Sequence, residues 1–202
     1  MLKKFNILNF ENLAKFTHYF FFSSILYCIF FLQPNNYGDP NNYIDIAISL
    51  NSANLLRFPG YPLFIKITSL NTNLLYITII VQFLIYIIAT LSLEKVLKKY
   101  SKFYFFPTLI LSFPKIVYMQ MLLFPDGLIL SLLILLICNI LNEINYKSIL
   151  IALILFLFKS FFIFLLIIII FLLLKKPKLN IILYFIFIPF ILGFYLFQPE
   201  FF

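Results

Sequence analysis

The sequence predicts an all-α polytopic membrane protein with about seven transmembrane helices and interfacial helices in the first external loop. Three observations predict it. The 202 residues are 64% hydrophobic with a mean hydropathy of +1.08, more apolar than a water-soluble core requires. Apolar runs of spanning length alternate with short polar intervals. The 15 basic residues are also unevenly shared, eleven of them falling in intervals that one orientation places on the same side. The net charge of +8 is therefore topological, and nucleic acid is not expected as a partner. The whole chain, 1–202, reads as one membrane domain.

Residues 1–15 carry Lys3, Lys4 and Lys15 and form a cytoplasmic start. The first span follows from Phe16 to Leu32. No small-x-small cleavage site follows it, so the segment reads as a retained anchor. Residues 33–73 form the first external loop. There Asp39-Pro40 opens a helix, with Asp as cap and Pro at the first helical position. Asn41, Asp45, Ser49 and Ser52 share one face of that helix, and Tyr43, Ile44, Ala47, Ile48 and Leu55 share another, as an interfacial helix requires. Pro59-Gly60-Tyr61-Pro62 breaks the chain, and Leu63–Leu70 is a second short interfacial helix.

Residues 74–196 supply spans two to seven. The second runs from Leu74 to Leu93 and ends at Glu94-Lys95, with Lys98, Lys99 and Lys102 close behind on the cytoplasmic side. The third starts near Phe103 and passes Pro107 and Pro114, either of which is a kink site. Pro125-Asp126-Gly127 turns the chain outside, and Leu128–Leu141 returns. The apolar stretch 148–174 is broken only at Lys159-Ser160. As one helix it would extend about 40 Å, longer than the hydrocarbon layer, and would carry Lys175, Lys176 and Lys178 outside. Two short spans meeting near Lys159 keep those lysines inside. A last span, 179–196, leaves the N-terminus cytoplasmic and the C-terminus external.

This topology brings Asp39, Arg57, Asp126 and Lys159 to the external face, with Asp45, Lys66 and Lys115 nearby in sequence. Three of the four glycines, Gly38, Gly60 and Gly127, adjoin them. Taken singly, each has a plainer role. Asp39 caps its helix and Asp126 caps the fourth span; Arg57 anchors to headgroups, Lys159 snorkels, and Tyr43 and Tyr61 are belt aromatics. Cys28 and Cys138, both within spans, read as small apolar fillers, and His18 reads as a helix-interface residue with no partner evident in the sequence.

In their joint order these residues resemble the N-terminal part of the GT-C glycosyltransferases, such as the protein O-mannosyltransferases and the aminoarabinose transferases of lipid A. Asp39, Tyr43 and Ala47 match the acidic residue that opens the family's first external loop, with Tyr four positions on and Ala four further. Arg57 and Pro59-Gly60-Tyr61-Pro62 match the basic residue and proline segment that follow. Pro125-Asp126-Gly127 and Phe158-Lys159-Ser160 match later steps, so the resemblance covers about residues 37–178. It implies an inverting transfer of a sugar from a polyprenyl-phosphate donor to an acceptor hydroxyl on a glycan, lipid or protein, at the external face of a bacterial plasma (inner) membrane. Asp39 would be the general base. Arg57 and Lys159 would bind the donor phosphate, and Tyr43, Tyr61 and Asp126 would support the site. No cofactor is implied beyond the donor substrate. Asp39 and Asp45 form no Asp-x-Asp pair, so no metal is expected. Family members are longer, often with an external C-terminal domain. The first alternative is therefore a truncated or non-catalytic membrane subunit that needs a partner subunit. The second is a small transporter.

Overall fold

The computed structural model describes residues 2–32, 39–49, 59–69, 75–142, 144–159 and 162–174. All regular elements among them are helical: α1 (Leu2–Phe31), α2 (Asp39–Ser49), α3 (Gly60–Thr68), α4 (Leu75–Leu97), α5 (Phe106–Leu111), α6 (Pro114–Tyr118), α7 (Pro125–Asn142), α8 (Tyr146–Phe158) and α9 (Ile163–Leu174). Three segments are long and apolar enough to cross a membrane: Phe10–Phe31 of α1, all of α4 and all of α7. The expected last span, 179–196, lies outside the described residues.

The burial pattern is compatible with a protein solvated by lipid. Helix α4 encloses Thr78, Gln82, Thr90 and Glu94 and turns Ile80, Leu84 and Ile88 outward at helical spacing. With hydrocarbon as solvent, polar groups gain by facing inward, where they find partners, and apolar groups lose nothing by facing out. Helix α1 buries Ala14, Thr17, Phe21, Ser24 and Cys28, three and four residues apart. Small side chains on that stripe let α5 and α6 approach closely. An apolar groove of about 400 Å³ opens between α1 and α4, lined by Ile25, Ile29, Ile80 and Leu84 among others.

Contacts along α1 fix the direction of its neighbours. Phe10 meets Phe103 with ring centroids 5.4 Å apart, and the Cys28 thiol lies 3.8 Å from the Pro114 carbonyl oxygen. These two levels are about 27 Å apart along the helix at 1.5 Å per residue. Residues 103–114 thus climb α1 from one end to the other. The expected kinked third span is instead two short helices, α5 and α6, separated at Ser112-Phe113. Pro114 cannot continue a helix from α5, and Phe113 before it takes an extended conformation (ψ 130°). The buried Tyr86 hydroxyl donates to the freed Leu111 carbonyl at 2.5 Å.

Helices α4 and α7 share the most extensive packing and run parallel. At one end Gln82 reaches the backbone just before α7; at the other Lys99 Nζ donates to Asn142 Oδ1 at 2.8 Å. Helix α8 starts with an Asn145/Ser148 capping box and runs back along α7. It ends at Lys159, which is extended (φ −150°, ψ 129°), and α9 packs against it. The long apolar stretch is thus broken at Lys159, as expected, although α8 with 13 residues and α9 with 12 are short for spans. The Pro59-Gly60-Tyr61-Pro62 segment departs from expectation. Pro59 is the N-cap of α3, and Gly60, Tyr61 and Pro62 form its first turn. Pro62 is tolerated there because first-turn N–H groups have no intrahelical acceptor to lose.

Candidate functional site

Four of the six residues singled out in the sequence have described side chains, and the fold brings all four to one end of the bundle. Lys159 Nζ lies 2.6 Å from Asp126 Oδ1, and both side chains are half-exposed. Helix dipoles favour this arrangement. Asp126 sits in the first turn of α7, where partial positive charge attracts a carboxylate. Lys159 is the C-cap of the antiparallel α8, where partial negative charge attracts a cation.

Beneath this pair lies an aromatic layer. The Tyr43 and Tyr61 rings meet edge to face at 5.3 Å. Tyr43 also touches Phe124, just before α7, at 6.4 Å, and Tyr61 touches Phe158, just before Lys159, at 6.1 Å. The two tyrosines are therefore packed against the residues that carry the ion pair, rather than being belt aromatics. Ala47, the third residue of the acidic/Tyr/Ala spacing, is buried in the same cluster. Gly60 sets the approach of α3 to α8: a Cβ on it would lie 2.6 Å from the Leu157 carbonyl oxygen. No other residue type permits that contact without a backbone shift.

A buried polar network holds the layer from below. The Tyr61 hydroxyl donates to Gln82 Oε1 at 2.6 Å, and Gln82 Nε2 donates to the Gln120 and Leu122 carbonyls at 3.3 and 3.4 Å. Burial, with Tyr43 and Asp126 adding to it, pushes the Tyr61 hydroxyl well above the usual tyrosine range. It is a fixed hydrogen-bond donor at neutral pH. Gln82 and Gln120 were not singled out in the sequence. A lone Gln inside an apolar run was the only signal, and it identifies no partner.

Asp39 is the first residue of α2, and α2 packs against α3, so its backbone begins the helix that carries Tyr43 into the layer. The side chain of Asp39 and all of Arg57 lie outside what the structure describes.

A second polar cluster lies elsewhere along the bundle. His18 Nε2 is 2.9 Å from Glu94 Oε2, which also accepts from Thr108 Oγ1 at 2.8 Å. Glu94, expected at the end of the second span, lies in the last turn of α4 and is also largely buried, where it joins α1, α4 and α5. His18 is indeed an interface residue, but the fold supplies the partner that the sequence did not reveal. Among the described residues no three His, Cys, Asp or Glu side chains come together. No family model, curated protein or solved structure matches the chain.

Proposed function

We propose that this chain is a membrane glycosyltransferase that moves a sugar from a polyprenyl-phosphate donor to an acceptor hydroxyl at the external membrane face. The observation that carries this reading is the convergence of Tyr43, Tyr61, Asp126 and Lys159. These residues come from three separate stretches of sequence and meet only in the fold. The resemblance implies one site for the same residues, and their proximity supports that reading.

The chemistry follows from their types. Lys159 is a half-exposed cation whose carboxylate partner is equally exposed, so a phosphate of higher charge competes for it at little cost. Arg57 adds a forked donor to the same phosphate. The tyrosine layer gives a flat apolar wall against which a sugar ring packs. Asp39, at the start of α2, takes the acceptor proton as its oxygen attacks the anomeric carbon; the bond to the lipid phosphate breaks and the phosphate leaves with that electron pair. A single carboxylate acting as base gives inversion. The charged pair also sits at the ends of α7 and α8 rather than mid-span, which favours a surface reaction over transport through the bundle. The test is transfer of labelled sugar from polyprenyl-phosphate donors by membranes containing this chain, with Asp39→Asn beside it.

A further inference from the structure

Gln120 is fully buried, and neither its Nε2 nor its Oε1 has a hydrogen-bond partner. Among the described residues the other enclosed side-chain atom without a partner is the Thr90 hydroxyl oxygen. A whole carboxamide left unpaired in a low-dielectric interior is costly, and costly polar groups persist where something else uses them.

Its position indicates that use. The carboxamide lies against the bare Cα of Gly127, in the first turn of the 18-residue α7; a Cβ there would come within 3.0 Å of Oε1. The adjacent residue is Asp126, which holds Lys159. The Gln120 backbone is tied through Gln82 to the Tyr61 hydroxyl. The unpaired amide therefore lies against the first turn of α7, beside Asp126, on a residue whose backbone joins the network under the tyrosine layer.

We infer that Gln120 reads the hydroxyl groups of a polyol ligand, the sugar of the donor, at the N-terminus of α7 while the donor phosphate stays at the Lys159 rim. This rests on the transferase reading. A carboxamide presents two N–H donors and one acceptor oxygen. Phosphate and carboxylate only accept and would leave Oε1 unpaired; an ammonium only donates and would leave Nε2 unpaired. A hydroxyl does both, as water does, and a vicinal diol answers both ends of the amide at once in place of water. Residues 119–124, which carry Gln120, form turns and bends between α6 and α7 rather than helix. The bare Cα of Gly127 lets the carboxamide lie directly against the first turn of α7.

The experiment measures binding to the full chain in nanodiscs, wild type beside Gln120→Met, which keeps the volume and removes both unpaired atoms. The probes are polyprenyl-phosphate mannose, polyprenyl-phosphate glucose and bare polyprenyl phosphate. The wild type is expected to prefer a sugar-bearing probe over the bare phosphate. Gln120→Met is expected to lose about ten-fold of that preference, with bare phosphate bound as before and thermal stability equal to or above wild type. If the wild type shows the preference and Gln120→Met keeps it, Gln120 does not read the sugar, and the transferase reading stands. Equal weakening toward all three probes makes Gln120 a structural residue and also overturns the inference. A wild type that binds none of the probes overturns the inference and the transferase reading together.

Discussion

Gly60→Ala isolates the close approach on which the site geometry depends. The added Cβ would lie 2.6 Å from the Leu157 carbonyl oxygen, 2.7 Å from its carbon and 3.0 Å from the Phe158 nitrogen. Ordinary contact begins at 3.4 Å, so α3 and α8 must separate by about 0.8 Å at this point. All three obstructing atoms are backbone, so no side-chain rotation relieves the clash. Overpacking of this kind costs about 1–3 kcal/mol, and the backbone origin places it toward the upper end. Helix propensity alone predicts the opposite sign, a gain of up to about 1 kcal/mol from replacing Gly in a helix. The sign therefore decides. Thermal unfolding of the full chain in nanodiscs should show a Tm roughly 5–10 °C below wild type. Because Leu157 and Phe158 immediately precede Lys159, the same change should move the cation off the tyrosine layer and lower transfer. A Gly60→Ala protein as stable as wild type, or more so, would refute the backbone-to-backbone packing of α3 on α8.

The His18–Glu94–Thr108 cluster should be structural. Glu94→Leu removes the acceptor from a buried hydroxyl and from a partly enclosed imidazole, and should cost about 2–4 kcal/mol, with Glu94→Gln costing less because it still accepts from Thr108; thermal unfolding of the two variants checks the order. Lys159→Met should leave insertion and folding unchanged, since a half-exposed ion pair is worth at most about 1 kcal/mol. Its affinity for bare polyprenyl phosphate in nanodisc binding should fall about ten-fold, and unchanged affinity would remove Lys159 from the phosphate site.

Local physics was readable in the sequence, and pairing across helices was not. The break at Lys159 followed from length and charge alone: a single helix would overrun the bilayer and strand three lysines. The apolar and polar alternation likewise announced helices in lipid. The third span was misjudged because Pro107 and Pro114 were each read as a kink. Local turn bonds satisfy the carbonyls of Thr108, Leu109 and Ile110, and the Tyr86 hydroxyl bonds that of Leu111, so the fold tolerates a full break between α5 and α6. Pro59-Gly60-Tyr61-Pro62 reads as a break ahead of the helix at Leu63 because prolines punctuate chains, but within a first helical turn they interrupt nothing, so the helix starts at Gly60. Glu94 shows the limit differently. It does lie in the last turn of its span, but nothing local tells that His18 and Thr108 meet it there. Gln82 and Gln120 were missed for the same reason: a polar residue in an apolar run gains meaning only from its neighbours in space.

The most direct measurement is transfer of radiolabelled sugar from polyprenyl-phosphate donors, using membranes that contain this chain alone or its Asp39→Asn variant at equal insertion. Removal of the base should lower transfer by about 100-fold or more while the protein remains in the membrane. Full transfer by Asp39→Asn would contradict the assignment of Asp39, and no transfer from any donor by well-inserted wild type would contradict the account of this chain as a transferase acting alone.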